Sequence, residues 1–406
     1  MIACEEHGLS DLTGSNAEQA AEHNRAVVLQ AIYRNAPISR TELAQQAGLT
    51  KQAITRIVDR LLDEGLVMEA RRRQGQRGQP AIELEIDPEG VYAIGANIDR
   101  DHLTVIAMDA TGTVRGRIHH EKRFILPDEF SALMEDAISS FSRRRIVDEA
   151  RLAGIGLAIP DWLGEIPVIG RPTSYSQWND FEVRKTLETM TSHPVFIDND
   201  ANCAAMGELE YGLGTEISSF FYILANACLG GGLILNGRQH QGTTGLNGEV
   251  GWLPILTDEG PAAGQIRPLG EQFSLFLLYD HLARHGIQAS KPADLLKLDS
   301  QGNQLISRWL RQISLKLAEA ILHIGLIVDP AAIVIGGRFP VKLMDELVVY
   351  LHEALADYGT ELPSLHRAVS SEDAAALGAA TMPLAHAFNL SSAQSIQLTR
   401  VPLTSS

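Results

Sequence analysis

Cysteine is scarce in this chain of 406 residues: Cys4, Cys203 and Cys228 stand far apart and form no Cys-x-x-Cys pair. That spacing argues against a disulfide framework or a cysteine-rich zinc site, and it fits a reducing compartment. Long hydrophobic runs are also missing. The apolar stretches are short and broken by glycine or polar residues, so no transmembrane helix is expected. The N-terminal stretch is polar and acidic (Glu5, Glu6, Asp11, Glu18, Glu22) and lacks the apolar core of a signal peptide. These absences predict a cytoplasmic protein without membrane contact.

What is present is a globular composition, 45% hydrophobic and 21% charged, which supports a large core. At roughly 100–200 residues per domain, the length implies about two to four units. Charge is unevenly spread. The total is −16, yet residues 24–80 carry ten Lys/Arg against five Asp/Glu, a net +5 that leaves −21 elsewhere. A basic reader attached to an acidic body follows from that asymmetry, because DNA attracts the first and repels the second.

Local patterns give the reader a shape. Val27, Val28, Ala31 and Ile32 recur with helical spacing from Asn24 onward. Ser39-Arg40-Thr41-Glu42 has the form of a capping box and opens a short helix. Gly48 supplies a turn, and Leu49 can plug the core between helices. Thr50 caps the next helix, which runs from Lys51 to about Asp63 with Ile54, Ile57, Val58, Leu61 and Leu62 facing inward. Lys51, Gln52, Thr55 and Arg56 lie on its opposite face near the N-terminus, where a recognition helix meets base edges and phosphates. Gly65 ends that helix. A basic stretch, Arg71-Arg72-Arg73-Gln74-Gly75-Gln76-Arg77-Gly78, then joins two short strands as a wing. Arg77 can enter a minor groove while Arg71, Arg72 and Arg73 meet phosphates. The DNA-reading set is thus Arg40, Thr50, Lys51, Gln52, Thr55, Arg56, Arg71, Arg72, Arg73, Arg77 and Gly78. The alternative is a helix-turn-helix used for protein contacts with a solvated arginine loop.

Beyond Val91 the pattern becomes strands mixed with long helices, an α/β arrangement. The stretches Ile197-Asp198-Asn199-Asp200-Ala201-Asn202, Gly230-Gly231-Gly232 and Gly237-Arg238 carry a resemblance. So do Gly242, Gly248-Glu249-Val250-Gly251, Ile333-Val334-Ile335-Gly336-Gly337 and Ala375-Ala376-Leu377-Gly378-Ala379-Ala380. Together they resemble the ROK family of bacterial sugar kinases and sugar-responsive repressors, over residues 91–387. The helix-turn-helix in front resembles its repressor branch. The resemblance implies a winged helix-turn-helix followed by a two-lobed, actin- and hexokinase-like (ribonuclease H-like) sugar-kinase fold. The expected division is a polar tail (1–20), the DNA-binding domain (21–88), the sensor (89–390) and a second polar tail (391–406). Within the sensor, one lobe takes 89–200 with 372–390, and the other 201–371.

The resemblance breaks where phosphate chemistry is expected. Family kinases place Asp-x-Gly-Gly-Thr between the first two strands, where this chain has Asn97-Ile98-Asp99-Arg100-Asp101. Side chains there fill space that a phosphate needs beside backbone, and two carboxylates repel it. The family's Gly-Thr-Gly loop is Asn226-Ala227-Cys228. The zinc motif is replaced too: Trp252 stands for its histidine, and Pro261, Ala263 and Pro268 for its cysteines, so no metal or other cofactor is expected. Packing by Trp252 and the two prolines can take over the metal's task of holding that loop.

A polyol site survives in the resemblance. Asn199, Asp200 and Glu249 match positions that bond sugar hydroxyls, Ser174 falls where the family has asparagine, and Trp252 can stack on a pyranose. Asp200 also matches the catalytic base, here vestigial. The alternative makes Asn199 a strand-end cap, Asp200 a helix N-cap and Trp252 ordinary core. The histidines, His119 and His120 included, lack metal-ligand spacing and are expected at the surface. The expected function is a sugar-responsive repressor of carbohydrate genes. Its partners are a double-stranded DNA operator and a sugar or sugar derivative, and it acts as a homodimer or a dimer of dimers. An active sugar kinase with a DNA-binding appendage is one alternative, and a ligand-independent DNA-binding or docking module is another.

Overall fold

A computed structural model of the chain describes residues 17–70, 82–166, 168–257, 264–358, 362–370 and 372–388. The chain forms two compact units: the residues up to Gly90 with those from Ala385 onward, and Val91–Leu384. Each is considered by itself.

The first unit holds α1 (Ala17–Asn35), β1 (Ile38–Ser39), α2 (Arg40–Ala47), α3 (Lys51–Asp63), β2 (Val67–Glu69) and β3 (Glu83–Ile86). Helix α1 begins ahead of the expected Asn24. Its first turns, Ala17-Glu18-Gln19-Ala20-Ala21-Glu22, are strong helix formers with little apolar periodicity, so propensity extends the helix where pattern gave no signal. Leu29, Ile32, Leu43, Ile54, Val58 and Leu61 are fully buried and form the core of the three helices. The sheet order is β1-β3-β2, with β3 antiparallel to both neighbours. Leu84 and Ile86 point inward while Glu83 and Glu85 are half-buried, the alternation expected of a one-sided strand. Phe388 packs on Tyr33 within this unit, with ring centroids 5.9 Å apart.

The second unit repeats one topology. Its first sheet has the order β6-β5-β4-β7-β8, from β4 (Tyr92–Ile98), β5 (His102–Asp109), β6 (Val114–Glu121), β7 (Leu152–Ile159) and β8 (Val195–Asn199). Its second has the order β11-β10-β9-β14-β15, from β9 (Phe220–Ala225), β10 (Leu229–Leu235), β11 (Arg238–Gln239), β14 (Ala332–Gly337) and β15 (Ser364–Arg367). In both, three antiparallel strands are followed by two parallel ones. A small hairpin, β12 (Pro254–Leu256) with β13 (Ile266–Pro268), follows the second meander. Helices α4 (Pro127–Arg143) and α5 (Val183–Met190) serve the first lobe, and α6 (Asp200–Tyr211) links the two. The second lobe carries α7 (Leu275–Arg284), α8 (Pro292–Leu295), α9 (Ser300–Val328) and α10 (Val341–Leu355), and α11 (Ala374–Ala387) closes the fold.

Helices α6 and α11 approach so closely that glycine is required. A Cβ on Gly378 would lie 1.7 Å from the Cys203 carbonyl oxygen, and one on Gly156 of β7 would lie 1.8 Å from that of Ala379. One core surrounds the first sheet (Ile94, Val105, Phe130, Leu157), and a second lies under α9 and α10 (Ile223, Leu317, Ile335, Leu347). A third sits where α6 and α11 meet the second sheet (Ala201, Ala204, Tyr222, Val334, Ala375). The C-terminal ends of β4, β7 and β8 therefore gather in one place, as do those of β9 and β14. Ligand clefts of parallel sheets form at such ends. Among the described residues, no helix is long and apolar enough to cross a membrane.

Candidate functional site

In the first unit the expected caps are present. The Ser39 hydroxyl accepts from the Glu42 amide at 3.3 Å, and Glu42 accepts in return from the Ser39 amide at 2.8 Å. Gly48 adopts φ +63°, a left-handed conformation that suits glycine. The Thr50 hydroxyl accepts from the Ala53 amide at 3.2 Å, so its first task is to cap α3. Turned away from the core, Lys51, Gln52, Thr55, Arg56, Asp59 and Arg60 line one shallow groove along α3. Arg40 pairs with Asp59 at 2.9 Å at its flank. The amide of Ala70 donates to Glu83 O at 2.8 Å and continues the β2–β3 hairpin toward the wing. Arg71, Arg72, Arg73, Arg77 and Gly78 lie outside the described residues.

In the second unit, β8 runs directly into α6 and carries the polar signature with it. Asn199 is the N-cap: its Oδ1 accepts from the Ala201 and Asn202 amides at 2.8 and 3.2 Å. Its Nδ2 donates to Asp161 at 3.0 Å. The cap is therefore Asn199, whereas Asp200 is the first helical residue, buried, with Oδ1 bonded to the Ala201 amide. Burial, reinforced by the Asp99 carboxylate, raises the Asp200 carboxyl to about 8 against the pull of Arg100. Burial and then Asp161 raise Glu249 to about 7, and burial raises Asp161 itself while Asn199 opposes it. Three carboxyl groups of high proton affinity thus gather beside one amide, a set that can donate as well as accept hydrogen bonds to hydroxyls.

Glu249 also lines a cleft of about 640 Å³ with Trp162, Glu165, Ile166, Leu246 and Trp252. Trp252 is not core: it is 54% exposed and meets the edge of Trp162, ring centroids 5.9 Å apart at 82°. Pro268 ends β13 opposite Pro254, while Pro261 and Ala263 lie outside the described residues. Ser174 sits exposed in the turn Thr173–Asp180, and among the described residues no hydrogen bond joins it to Asn199, Asp200 or Glu249. Its neighbour Tyr175 is buried, as is Trp178 in the same turn.

Apart from the residues that line that cleft, a second polar cluster is closed by internal bonds. The turns Asp99-Arg100-Asp101 and Asn226-Ala227-Cys228 connect equivalent strand pairs, β4–β5 and β9–β10. Both meet Arg338, which directly follows β14. The Arg338 amide donates to Asn226 Oδ1 at 3.0 Å, and its guanidinium reaches Asp101 and Glu121, each at 2.5 Å. Arg338 is 4% exposed and Arg100 1%. The two aspartates are therefore not free charges facing a phosphate, as the sequence suggested. Asp101 is paired with Arg338, and Asp99 with Arg100 at 3.4 Å. Burial alone would raise Asp101, but His102 and Arg338 outweigh it and hold the carboxyl at about 2. His102 departs from the expected surface position. It is buried, with Nδ1 2.7 Å from Asp101 and Nε2 2.9 Å from Asn97 Oδ1. Asp99, Asp101 and His102 bring ligand-type atoms within 4.8 Å of one another, but guanidinium groups already engage both aspartates. His119 is half-buried and bonds Thr104 at 2.8 Å.

Sequence reasoning missed Arg338, Asp161 and Trp162. Each follows the C-terminus of a buried strand, and a charged or bulky residue there was the available signal. The sequence model of the ROK family matches residues 93–386, and that of the MarR family matches residues 23–78. The xylose repressor of Bacillus spizizenii (strain ATCC 23059 / NRRL B-14472 / W23) is 29% identical over 232 residues, 57% of this chain and 60% of that protein. That match spans less than two thirds of the relative's length. The DNA-binding transcriptional dual regulator NagC of Escherichia coli (strain K12) is 24% identical over 353 residues, 80% of this chain and 82% of that protein. The solved structure of a ROK family transcriptional regulator, a homolog of the E. coli MLC protein, superposes with a TM-score of 0.66 at 20% identity. It covers 91% of this chain and 97% of the other, a likeness of fold.

Proposed function

The chain belongs to the ROK family, and on that premise we propose that it is a sugar-responsive transcriptional repressor whose body binds sugar without phosphorylating it. The observation that carries this reading is a contrast between two polar clusters. Asn199, Asp200 and Glu249 offer hydrogen-bonding atoms, and Glu249 lines an open cleft, whereas the turns at Asp101 and Asn226 are bonded to Arg338. Phosphoryl transfer depends on free backbone and cations around the phosphates. Here those turns are spent on internal bonds. Relatives named for repression and transcriptional regulation, and the MarR-type match over the three-helix unit, support the DNA-binding half.

In this reading Lys51, Gln52, Thr55 and Arg56 meet the major groove, flanked by Arg40 and Thr50. Arg71, Arg72, Arg73, Arg77 and Gly78 form the wing on phosphates and the minor groove. Two copies on a palindromic operator would place half-sites about one helical turn, roughly 34–36 Å, apart. A sugar that prefers one arrangement of the lobes shifts operator occupancy by its differential affinity. Neither zinc nor a nucleotide takes part, and the protein acts in the cytoplasm.

A gel-shift titration on a duplex selected by the full chain tests the reading. At least one sugar is expected to change operator affinity. Lys51→Ala and Arg56→Ala should each weaken operator binding by about 1–3 kcal/mol where the side chain reads a base. Persistent DNA binding that no sugar alters contradicts the sensor role. ATP-dependent sugar phosphorylation, lost in Asp200→Asn, supports the kinase alternative instead.

A further inference from the structure

Trp162 has no part in the polar site described above, yet its placement is costly. The indole is 38% exposed, and its backbone takes φ +50°, a left-handed conformation that bulky residues rarely adopt. Glycine or asparagine at this position would relieve both the backbone and the exposed apolar surface. Strain of this kind persists where the surrounding structure imposes it, commonly at ligand sites. The turn imposes it here: the amides of Glu165 and Ile166 both donate to the Trp162 carbonyl, at 2.9 and 3.2 Å.

The strained turn aims Trp162 at Trp252. The two rings meet nearly at right angles, 82°, and form an open corner with Leu246 and Ile166 behind it. At the inner edge of that corner stands Glu249, and Asp161, adjacent to Trp162 in sequence, bonds Asn199. Polar hydroxyl partners and an aromatic platform therefore lie side by side. The cleft of about 640 Å³ is of the size that holds drug-like ligands, roughly 300–1,000 Å³. Of Asn199, Asp200 and Glu249, Glu249 is the one among the described residues that lines this cleft, so the tryptophan corner extends beyond that set. Sugar rings present C–H faces to aromatic rings and hydroxyls at their rims, which suits such a corner. Among the described residues that line the cleft there is no lysine or arginine to pair with an anionic sugar, which favours a neutral one.

We propose that the effector is a neutral disaccharide, one ring held by Asn199, Asp200 and Glu249 and the second stacked in the Trp162–Trp252 corner. This inference rests on the sugar-sensor reading and adds an outer subsite to it.

The chain has four tryptophans, and Trp178 and Trp309 are buried, so the two cleft indoles dominate any ligand-induced change in emission. Glucose, galactose and xylose are titrated into the full chain against cellobiose, lactose and xylobiose, read by tryptophan fluorescence and calorimetry. At least one disaccharide is expected to bind tenfold or more tightly than its constituent monosaccharides, with a shift in emission. Trp162→Ala should remove that advantage and leave monosaccharide affinity unchanged, while Trp162→Tyr keeps most of it. Equal affinity for each disaccharide and its monosaccharides overturns the outer subsite and leaves the sensor reading standing. Equal weakening of both ligand classes by Trp162→Ala also overturns it. If none of the six sugars binds, the inference fails together with the sugar site it extends.

Discussion

Two polar clusters follow equivalent strands of the two sheets, Asp161 after β7 and Arg338 after β14, and they have been finished in opposite ways. Around Arg338, a buried ion pair to Asp101 and a hydrogen bond from the Arg338 amide to Asn226 hold two hairpin turns to a strand end, with Asp99, Arg100, Asp101 and His102 all removed from solvent. Around Glu249, the side chains are half-buried or exposed, and two indoles face open space. A closed end holds its charges with internal partners, whereas an open end keeps hydrogen-bonding capacity for a ligand. A cluster closed by its own arginine and one left open can thus stand on the same fold.

The sharpest way to break this comparison is Arg338→Met. It strands Asp101 beside Glu121 without the guanidinium, and removing one partner of a buried pair costs about 3–5 kcal/mol. Urea unfolding of the full chain should show a loss of that size in the transition of the second unit. A loss of a few tenths would mean that the closed end is not held by this pair.

A smaller effect separates the ends by pH. Asp200 binds its proton more tightly folded than unfolded, so the folded state holds more protons between its ordinary value and about 8. Stability therefore falls as pH rises through that window, with a slope of at most about 1.4 kcal/mol per pH unit. Asp101, held down at about 2, contributes in the opposite sense: its share is present above the ordinary aspartate range and is lost as pH falls through the folded value. Asp200→Asn should flatten the decline between about pH 4 and 8 and leave the acid limb below it as it was, as read by thermal unfolding at each pH. An unchanged decline would relocate its source away from Asp200.

The smallest effect lies at the open end. Glu249 titrates near 7, and its ionised form accepts stronger, charge-assisted hydrogen bonds from hydroxyls. Sugar affinity should rise a few-fold from pH 6 to pH 8 in calorimetry, and Glu249→Gln should remove the rise. An equal rise in the variant would place the titrating group elsewhere.

The open end was largely legible in the sequence. Asn199 and Asp200 mark a strand that ends in polar residues and opens a helix, and Glu249 sits in a glycine-framed motif. Helices α2 and α3 were legible for a similar reason, since Ser39, Gly48, Thr50 and the Ile54–Val58–Leu61 stripe are local signals that the fold obeys. The closed end was only half legible. Asp99, Arg100 and Asp101 showed that glycines had been lost, but the partner that fills the gap comes from Arg338, far along the chain, and no local pattern links the two. The same limit hid the Trp162–Trp252 corner and the burial of His102, both set by tertiary neighbours. Helix α1 was underestimated because its first turns rest on propensity alone.

The central claim is that the cleft binds sugar while its phosphate end is already occupied. Titration of magnesium ATP into the full chain by calorimetry, with and without a bound sugar and with product analysis, tests it most directly. The expected result is a saturable isotherm for the sugar, none for the nucleotide, and no sugar phosphate formed. Saturable nucleotide binding with turnover that Asp200→Asn abolishes would contradict it.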